Sequence, residues 1–295
     1  MLRIAHILIA ITALATASPA LDELTPAKAA ILGVVEGVTE YLPVSSTGHL
    51  LVTEDLLDIG QTDETEDAAD TFAIAIQAGA ILAVVVLYWR RLLAMAAGAV
   101  GRDPDGRRVL LAVLVAFLPS AIVGFAFGDF IKDELFGVGP VIAAWAIGGL
   151  VILFLATRLG TGLKELESMQ LQPALLIGLV QILALWPGVS RSLVTIIAAL
   201  LLGYTMGAAV EFSFLLGLLT LTAATGYELL KNGGELFDTF GVTDPLIGFA
   251  VAFVAALIAV RWLVAYVSRH GIAIFGWYRI AVAVIALGLV AADVI

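Results

Sequence analysis

Six stretches of mainly apolar residues recur along the chain, near 72–89, 109–127, 139–157, 208–229, 245–264 and 276–294. Each is close to the roughly 20 residues needed to cross the hydrocarbon core of a bilayer. Two further apolar segments, 30–52 and 173–202, are interrupted halfway. Pro43 followed by serines breaks the first; Pro187 and Gly188 followed by Ser190, Arg191 and Ser192 break the second. The pattern predicts an all-α polytopic membrane protein with six full transmembrane helices and two broken, re-entrant helix pairs.

The two broken segments resemble each other. GVVEGVTEYLPVSS from Gly33 and GLVQILALWPGVSRS from Gly178 share a glycine, a valine two residues on, Glu36 or Gln181, an aromatic residue, and a proline leading into serines, with one residue of slippage near the proline. Asp70-Thr71-Phe72 follows one copy and Glu211-Phe212 the other. Residues 21–295 thus read as a single membrane domain with repeat halves of about 24–160 and 170–295. Three full spans between the copies place the second break on the opposite side of the membrane, which is inverted-topology architecture. Prolines and glycines that only kink ordinary helices are the plainer alternative, since membrane helices tolerate them.

Charge sets the expected orientation. Arg90, Arg91, Arg102, Arg107 and Arg108 follow the first span, Arg158 and Lys164 the third, and Arg269 the fifth. Basic loops of this kind face the cytoplasm, so the acidic stretch 53–70 faces outside. Residues 1–20 have a basic start, an apolar centre and a small-residue end, the form of a signal peptide or of an extra N-terminal helix. The chain of 295 residues is 61% hydrophobic and 14% charged, with a mean hydropathy of +1.07, consistent with a protein whose solvent is the lipid bilayer. A net charge of −10 without a basic face argues against nucleic acid as a partner. Without cysteine there is no disulfide, thiolate nucleophile or thiolate metal ligand.

The polar residues at the breaks carry the candidate chemistry. Glu36 and Glu40, four residues apart, share a helix face. A charged side chain at the bilayer centre costs about 2.5–3.5 kcal/mol on insertion scales. The pair therefore needs a shared proton, a divalent cation or the guanidinium of Arg191 as partner, unless it faces a solvated vestibule. Ser45, Ser46 and Thr47 precede a new half-helix, whose free N–H groups suit an anion but whose serines also serve as caps. His49, three residues past Ser46, is placed to act as general acid or base or to hydrogen-bond a serine. Arg191 lies between Ser190 and Ser192 with Thr195 one turn on, and arginine suits bidentate phosphate contact. Together these groups describe a phosphate site inside a bilayer. A hydrolase of a phosphate-bearing lipid and a transporter or flippase of a phosphorylated lipid or small anion both fit, and a serine beside a histidine and an acidic pair tilts the balance towards hydrolysis.

EGVTEYLPVSSTGHL and PGVSRSLVT, with EFSFLL after the latter, closely resemble the signatures of the undecaprenyl-pyrophosphate phosphatase family, integral-membrane enzymes linked to bacitracin resistance. The resemblance runs from about residue 24 to the C-terminus. It implies hydrolysis of a polyprenyl diphosphate to the monophosphate at the outer face of the cell membrane, recycling the carrier lipid for cell-wall synthesis. It also implies a divalent cation, magnesium or calcium, held by Glu36 and Glu40, and it leaves room for a homodimer. By motif position, Glu36, Glu40, Ser46, His49 and Arg191 become catalytic, with Ser46 as nucleophile or else an attacking water. Ser45, Thr47, Ser190, Ser192 and Thr195 become phosphate ligands. The family usually has glycine at the position of Leu193, where a side chain is expected to narrow the turn or the approach to phosphate.

Overall fold

A computed structural model describes residues 24–60, 62, 65–158 and 162–295; residues 1–20, read as a leader or extra helix, lie outside the described residues. The elements are helices: α1 (Pro26–Thr39), α2 (Ser46–Leu56), α3 (Glu66–Leu87), α4 (Trp89–Ala99), α5 (Pro104–Leu135), α6 (Val138–Ala156), α7 (Leu171–Gln181), α8 (Arg191–Leu201), α9 (Met206–Phe240), α10 (Thr243–His270) and α11 (Ala273–Ala291), with two short 3-10 turns. No β-strand occurs among the described residues.

Six of these helices are long and apolar enough to cross a membrane: α3, α5 as far as Gly128, α6, α9, α10 and α11. They coincide with the six predicted spans, but their ends differ. Helix α3 begins six residues early, at Glu66, because Glu66 and Asp67 sit in its first turn, where carboxylates complement the helix dipole. Tyr88 leaves helical geometry (φ −105°, ψ 19°). The basic stretch after it is therefore a separate helix, α4, where the sequence suggests only a loop. Helix α9 runs eleven residues past its predicted end, to Phe240, and stops where Gly241 adopts φ 68°.

Both interrupted segments form two half-helices around a break. Helix α1 ends at Thr39 and α2 starts at Ser46. Helix α7 continues as a 3-10 turn (Ile182–Leu185), and α8 starts at Arg191. The packing is reciprocal between the halves. Helix α1 packs on α10 while α7 packs on α5, and α3 meets α9 as α6 meets α11. The aligned glycines make the first two contacts close: a Cβ on Gly33 would run into the carbonyl of Gly248, and one on Gly178 into that of Ala116.

At one end of the bundle, Arg91 of α4 donates to Glu211 of α9 at 2.6 Å and to Glu167 at 2.7 Å. This clip fixes the start of α9, the helix against which the second break packs. The hydrogen bond from Arg91 also holds the Glu167 carboxyl below the usual carboxylate range.

Candidate active site

The first break is shaped by its backbone. Glu40 still has helical φ and ψ, and its N–H closes the last turn on Glu36 O at 2.9 Å. Pro43 cannot continue a helix, and Val44 N–H turns back to Leu42 O at 2.8 Å. Ser45 then adopts φ 72° and ψ 106°, a conformation that costs a non-glycine residue about 1–3 kcal/mol. Strain of that kind persists only where surrounding contacts enforce it. Trp145 Nε1 donates to Val44 O at 2.9 Å on one side, and the His49 ring donates to Ser45 O at 2.6 Å on the other. At the second break Gly188 takes φ 87°, and a Cβ there would strike Val141 and Ala144 of α6. Glycine is thus required twice over at this position, by conformation and by space.

The breaks meet. Leu42 O accepts from Ser192 Oγ at 2.9 Å and from Ser190 Oγ at 3.4 Å. Glu40 is the hub between them. Its Oε1 accepts from Arg191 Nη2 at 2.8 Å, across 151 residues of sequence, and its Oε2 accepts a short hydrogen bond from Ser46 Oγ. Glu40 is only 8% exposed and Ser46 only 6%, so this charge-assisted network lies where water screens it little. The other terminal nitrogen of Arg191, Nη1, is buried without a hydrogen-bond partner. Arg191 lies 5.7 Å from the Tyr41 ring centroid, and Gly217 of α9 leaves the space its guanidinium fills.

A cavity of about 160 Å³ opens on this network, lined by Glu40, Ser45, Ser46, Thr47, Ser190 and Arg191 from the breaks and by Gln77, Ser120, Gln181 and Thr220 from the surrounding helices. Six of the residues singled out in the sequence therefore line one space, and Glu36 lies one helical turn before Glu40 without lining it. Glu36 is fully buried, and neither carboxyl oxygen has a hydrogen-bond partner. Two orphaned carboxylate oxygens in such a place are what a cation or a proton would satisfy.

Three residues fall elsewhere. Ser192 and Thr195, expected to bind phosphate, do not line the cavity. Ser192 is spent on Leu42 O, and Thr195 bonds Arg191 O at 2.8 Å and pairs with Ser213 Oγ at 2.7 Å. Both hold α8 in place. His49, expected beside Ser46, turns away from it. A carbonyl only accepts, so the Nδ1 that meets Ser45 O carries the proton; in the neutral ring Nε2 then accepts from the Tyr278 hydroxyl at 2.8 Å. No lone pair of this ring faces Ser46. Leu193 also points away: it is 3% exposed, packed in the apolar core, and absent from the cavity wall. Its N–H bonds the capping Ser190 Oγ at 3.2 Å, so its side chain does not narrow the polar cavity.

Sequence reasoning missed the wall on the far side of the breaks. Arg279 of α11 is fully buried and reaches carbonyls of both breaks. Gln181, the repeat partner of Glu36, donates a short hydrogen bond to Ser120 Oγ and keeps its own Oε1 unpartnered. The repeat alignment already pointed to Gln181. A second, larger groove of about 960 Å³ runs beside the first break, almost wholly apolar, with Val34, Val38, Leu42, Val44, Val254 and Trp262 among its walls.

Residues 29–285 match the family described as bacitracin resistance protein BacA. The chain is 48% identical over 262 residues to a protein of Rhodospirillum rubrum named undecaprenyl-diphosphatase 2, covering 88% of this chain and 93% of that one. It is 46% identical over 266 residues to the undecaprenyl-diphosphatase of Sorangium cellulosum, covering 88% and 85%. With the undecaprenyl-diphosphatase of Dechloromonas aromatica it shares 44% over 268 residues, covering 90% and 95%.

Proposed function

The chain belongs to the BacA family of undecaprenyl-diphosphatases, and from that membership and the meeting of the two breaks we propose that it removes the terminal phosphate of undecaprenyl diphosphate by attack of Ser46. The observation that carries this reading is Glu40, one carboxylate shared by a serine from one break and an arginine from the other. In the proposed step the distal phosphate enters the polar cavity and engages Arg191. Glu40 then takes the Ser46 proton as Oγ bonds to phosphorus. The bridging P–O bond breaks with its electron pair on undecaprenyl monophosphate, which takes the proton from Glu40 as it leaves. Glu40, ionised again, then accepts a proton from the water that attacks the phosphoserine and returns it to Ser46 Oγ as phosphate departs.

The donor set fits a hard divalent cation of the magnesium type, which binds through one or two carboxylates together with substrate phosphates. Glu36, with both oxygens unpartnered, would hold it, with Glu40 adjacent. Such an ion supplies charge neutralisation for the phosphoryl group. The cavity suits a phosphate and not a prenyl chain. The apolar groove shares Thr39, Leu42 and Val44 with the first break, and we assign the isoprenoid tail to it.

The reciprocal packing of the halves supports the inverted-repeat reading. The basic loops support a site facing the extracytoplasmic side, where phosphate removal would return the carrier lipid to cell-wall synthesis. Purified protein in detergent should release phosphate from undecaprenyl diphosphate, lose that activity with chelator and regain it with magnesium or calcium. Failure to release phosphate with any divalent ion, combined with movement of labelled lipid across liposome bilayers, would establish a transporter instead.

Leu193→Gly tests the position where this chain departs from the family. Removing a buried leucine and placing glycine in a helix should cost about 3–6 kcal/mol, read as a lower thermal midpoint in detergent. Phosphate release per folded molecule should stay the same; an altered KM would mean that Leu193 touches the lipid after all.

A further inference from the structure

Helix α11 contributes two adjacent side chains to the breaks, and neither belongs to the signatures that carry the family likeness. Arg279 is fully buried in the middle of an apolar helix, and its hydrogen-bond acceptors are all backbone carbonyls. Nη2 donates to Gly188 O at 2.9 Å and to Ala144 O at 2.8 Å, and Nη1 reaches Pro43 O at 3.5 Å. One guanidinium thus joins the first break, the second break and α6. Gly148 makes room for it, since a Cβ there would collide with the guanidinium. A charged group in this setting is costly, and an apolar side chain would fill the same volume without that cost. What the arginine adds is a rigid, planar set of donors spanning two pieces of chain that no hydrogen-bonded helix connects.

Tyr278 acts one residue away. Its hydroxyl meets His49 Nε2 at 2.8 Å, its ring stacks on the imidazole at 14°, and the other nitrogen of His49 holds the carbonyl of strained Ser45. Tyr278 therefore braces Ser45 and Ser46 through His49, while Arg279 sets the distance from that break to the one carrying Arg191.

We propose that Tyr278 and Arg279 are positioning residues for phosphoryl transfer: together they lock the separation and orientation of Ser46 relative to Arg191, and His49 serves as the brace between Tyr278 and Ser45. The proposal rests on the reading of Ser46 and Arg191 given above. Displacing reacting groups by about 1 Å costs on the order of 100-fold in rate, and the loss falls on kcat when ground-state binding of the lipid is unaffected.

The test compares wild type, Arg279→Met, Arg279→Lys and Tyr278→Phe as metal-loaded protein in detergent. In parallel, spin labels are placed on Leu56→Cys and Leu201→Cys, at the outer ends of α2 and α8, in this cysteine-free chain. Expected are a kcat about 100-fold lower in Arg279→Met, about tenfold of it recovered in Arg279→Lys, a fall of about tenfold in Tyr278→Phe, KM within about twofold throughout, and a broadened label-to-label distance distribution in Arg279→Met. A merely structural role would give a loss of activity that follows the folded fraction, with no recovery by lysine; that result overturns the proposal. So does a distance distribution in Arg279→Met as narrow as in wild type, which can be read even where no variant can be assayed. Wild type that releases no phosphate would defeat the proposed function, whereas active wild type with unaffected Arg279→Met and Tyr278→Phe defeats this inference alone.

Discussion

Ser46→Ala should lower phosphate release from undecaprenyl diphosphate by about a thousandfold or more, with little change in thermal stability. The hydroxyl has no other duty: its hydrogen bond runs to Glu40, and Ser45 rather than Ser46 occupies the capping position of α2. Its loss removes the nucleophile while leaving Glu40 paired with Arg191. Losses of this size are what removal of a nucleophile produces, with a residue of activity left from charge stabilisation alone. Glu40→Gln is the companion. It keeps the shape but removes the base, so release should again collapse, and the double variant should be scarcely worse than either single one because the two groups act as a unit. Turnover of Ser46→Ala within about tenfold of wild type would eliminate the covalent step and assign the attack to a water held by Glu40. Rapid-quench labelling with a 32P-labelled terminal phosphate separates the cases directly: the serine route predicts label on the protein, and the water route does not.

How much of this could be read from the sequence depends on which atoms carry each contact. The six spans were legible because about 20 apolar residues in a row leave few alternatives. Their ends were not, because Glu66 and Asp67 extend α3 through a dipole interaction and Trp89–Ala99 hides an amphipathic helix among arginines. The breaks were legible from Pro43 and Gly188, and the convergence of Glu40, Ser46 and Arg191 followed from the price of burying charge singly. The partners of individual hydroxyls were not legible. Ser190, Ser192 and Thr195 are equally suited to phosphate and to holding a helix end, and only the position of Leu42 O and Ser213 Oγ sends Ser192 and Thr195 to the second task. His49 illustrates the same point: three residues from Ser46 in sequence, it is turned by Ser45 O and by Tyr278, which lies 229 residues away. Arg279 was invisible for a further reason. Its acceptors are main-chain carbonyls, and carbonyls are present at every residue, so no pattern of side chains announces where three of them will converge.

Gly217→Ala should be almost as damaging as Arg191→Ala, by about 100- to 1,000-fold in kcat/KM, although Gly217 bears no functional group. On α9 its absent side chain is the space occupied by the Arg191 guanidinium, and an added methyl group would overlap Nη1. The helix itself would gain from the change, since alanine is favoured over glycine in a helix interior by about 1 kcal/mol. The cheapest way to relieve the clash is for the guanidinium to swing out, because its stem is flexible whereas α9 is packed against α3 and α8. That movement breaks the 2.8 Å contact with Glu40 and withdraws the guanidinium from the cavity it lines. Loss of a preorganised donor to a developing negative charge typically costs 100- to 1,000-fold. Stability should therefore follow the lost ion pair more than the helix gain: a thermal midpoint below that of wild type but no lower than that of Arg191→Ala, with phosphate release close to that of Arg191→Ala. Adding Gly217→Ala to Arg191→Ala should have little further effect, since the methyl group then meets empty space. Activity of Gly217→Ala within about threefold of wild type would show that Arg191 works from a different rotamer than the one paired with Glu40, and the phosphate would then have to be sought on the other side of that guanidinium.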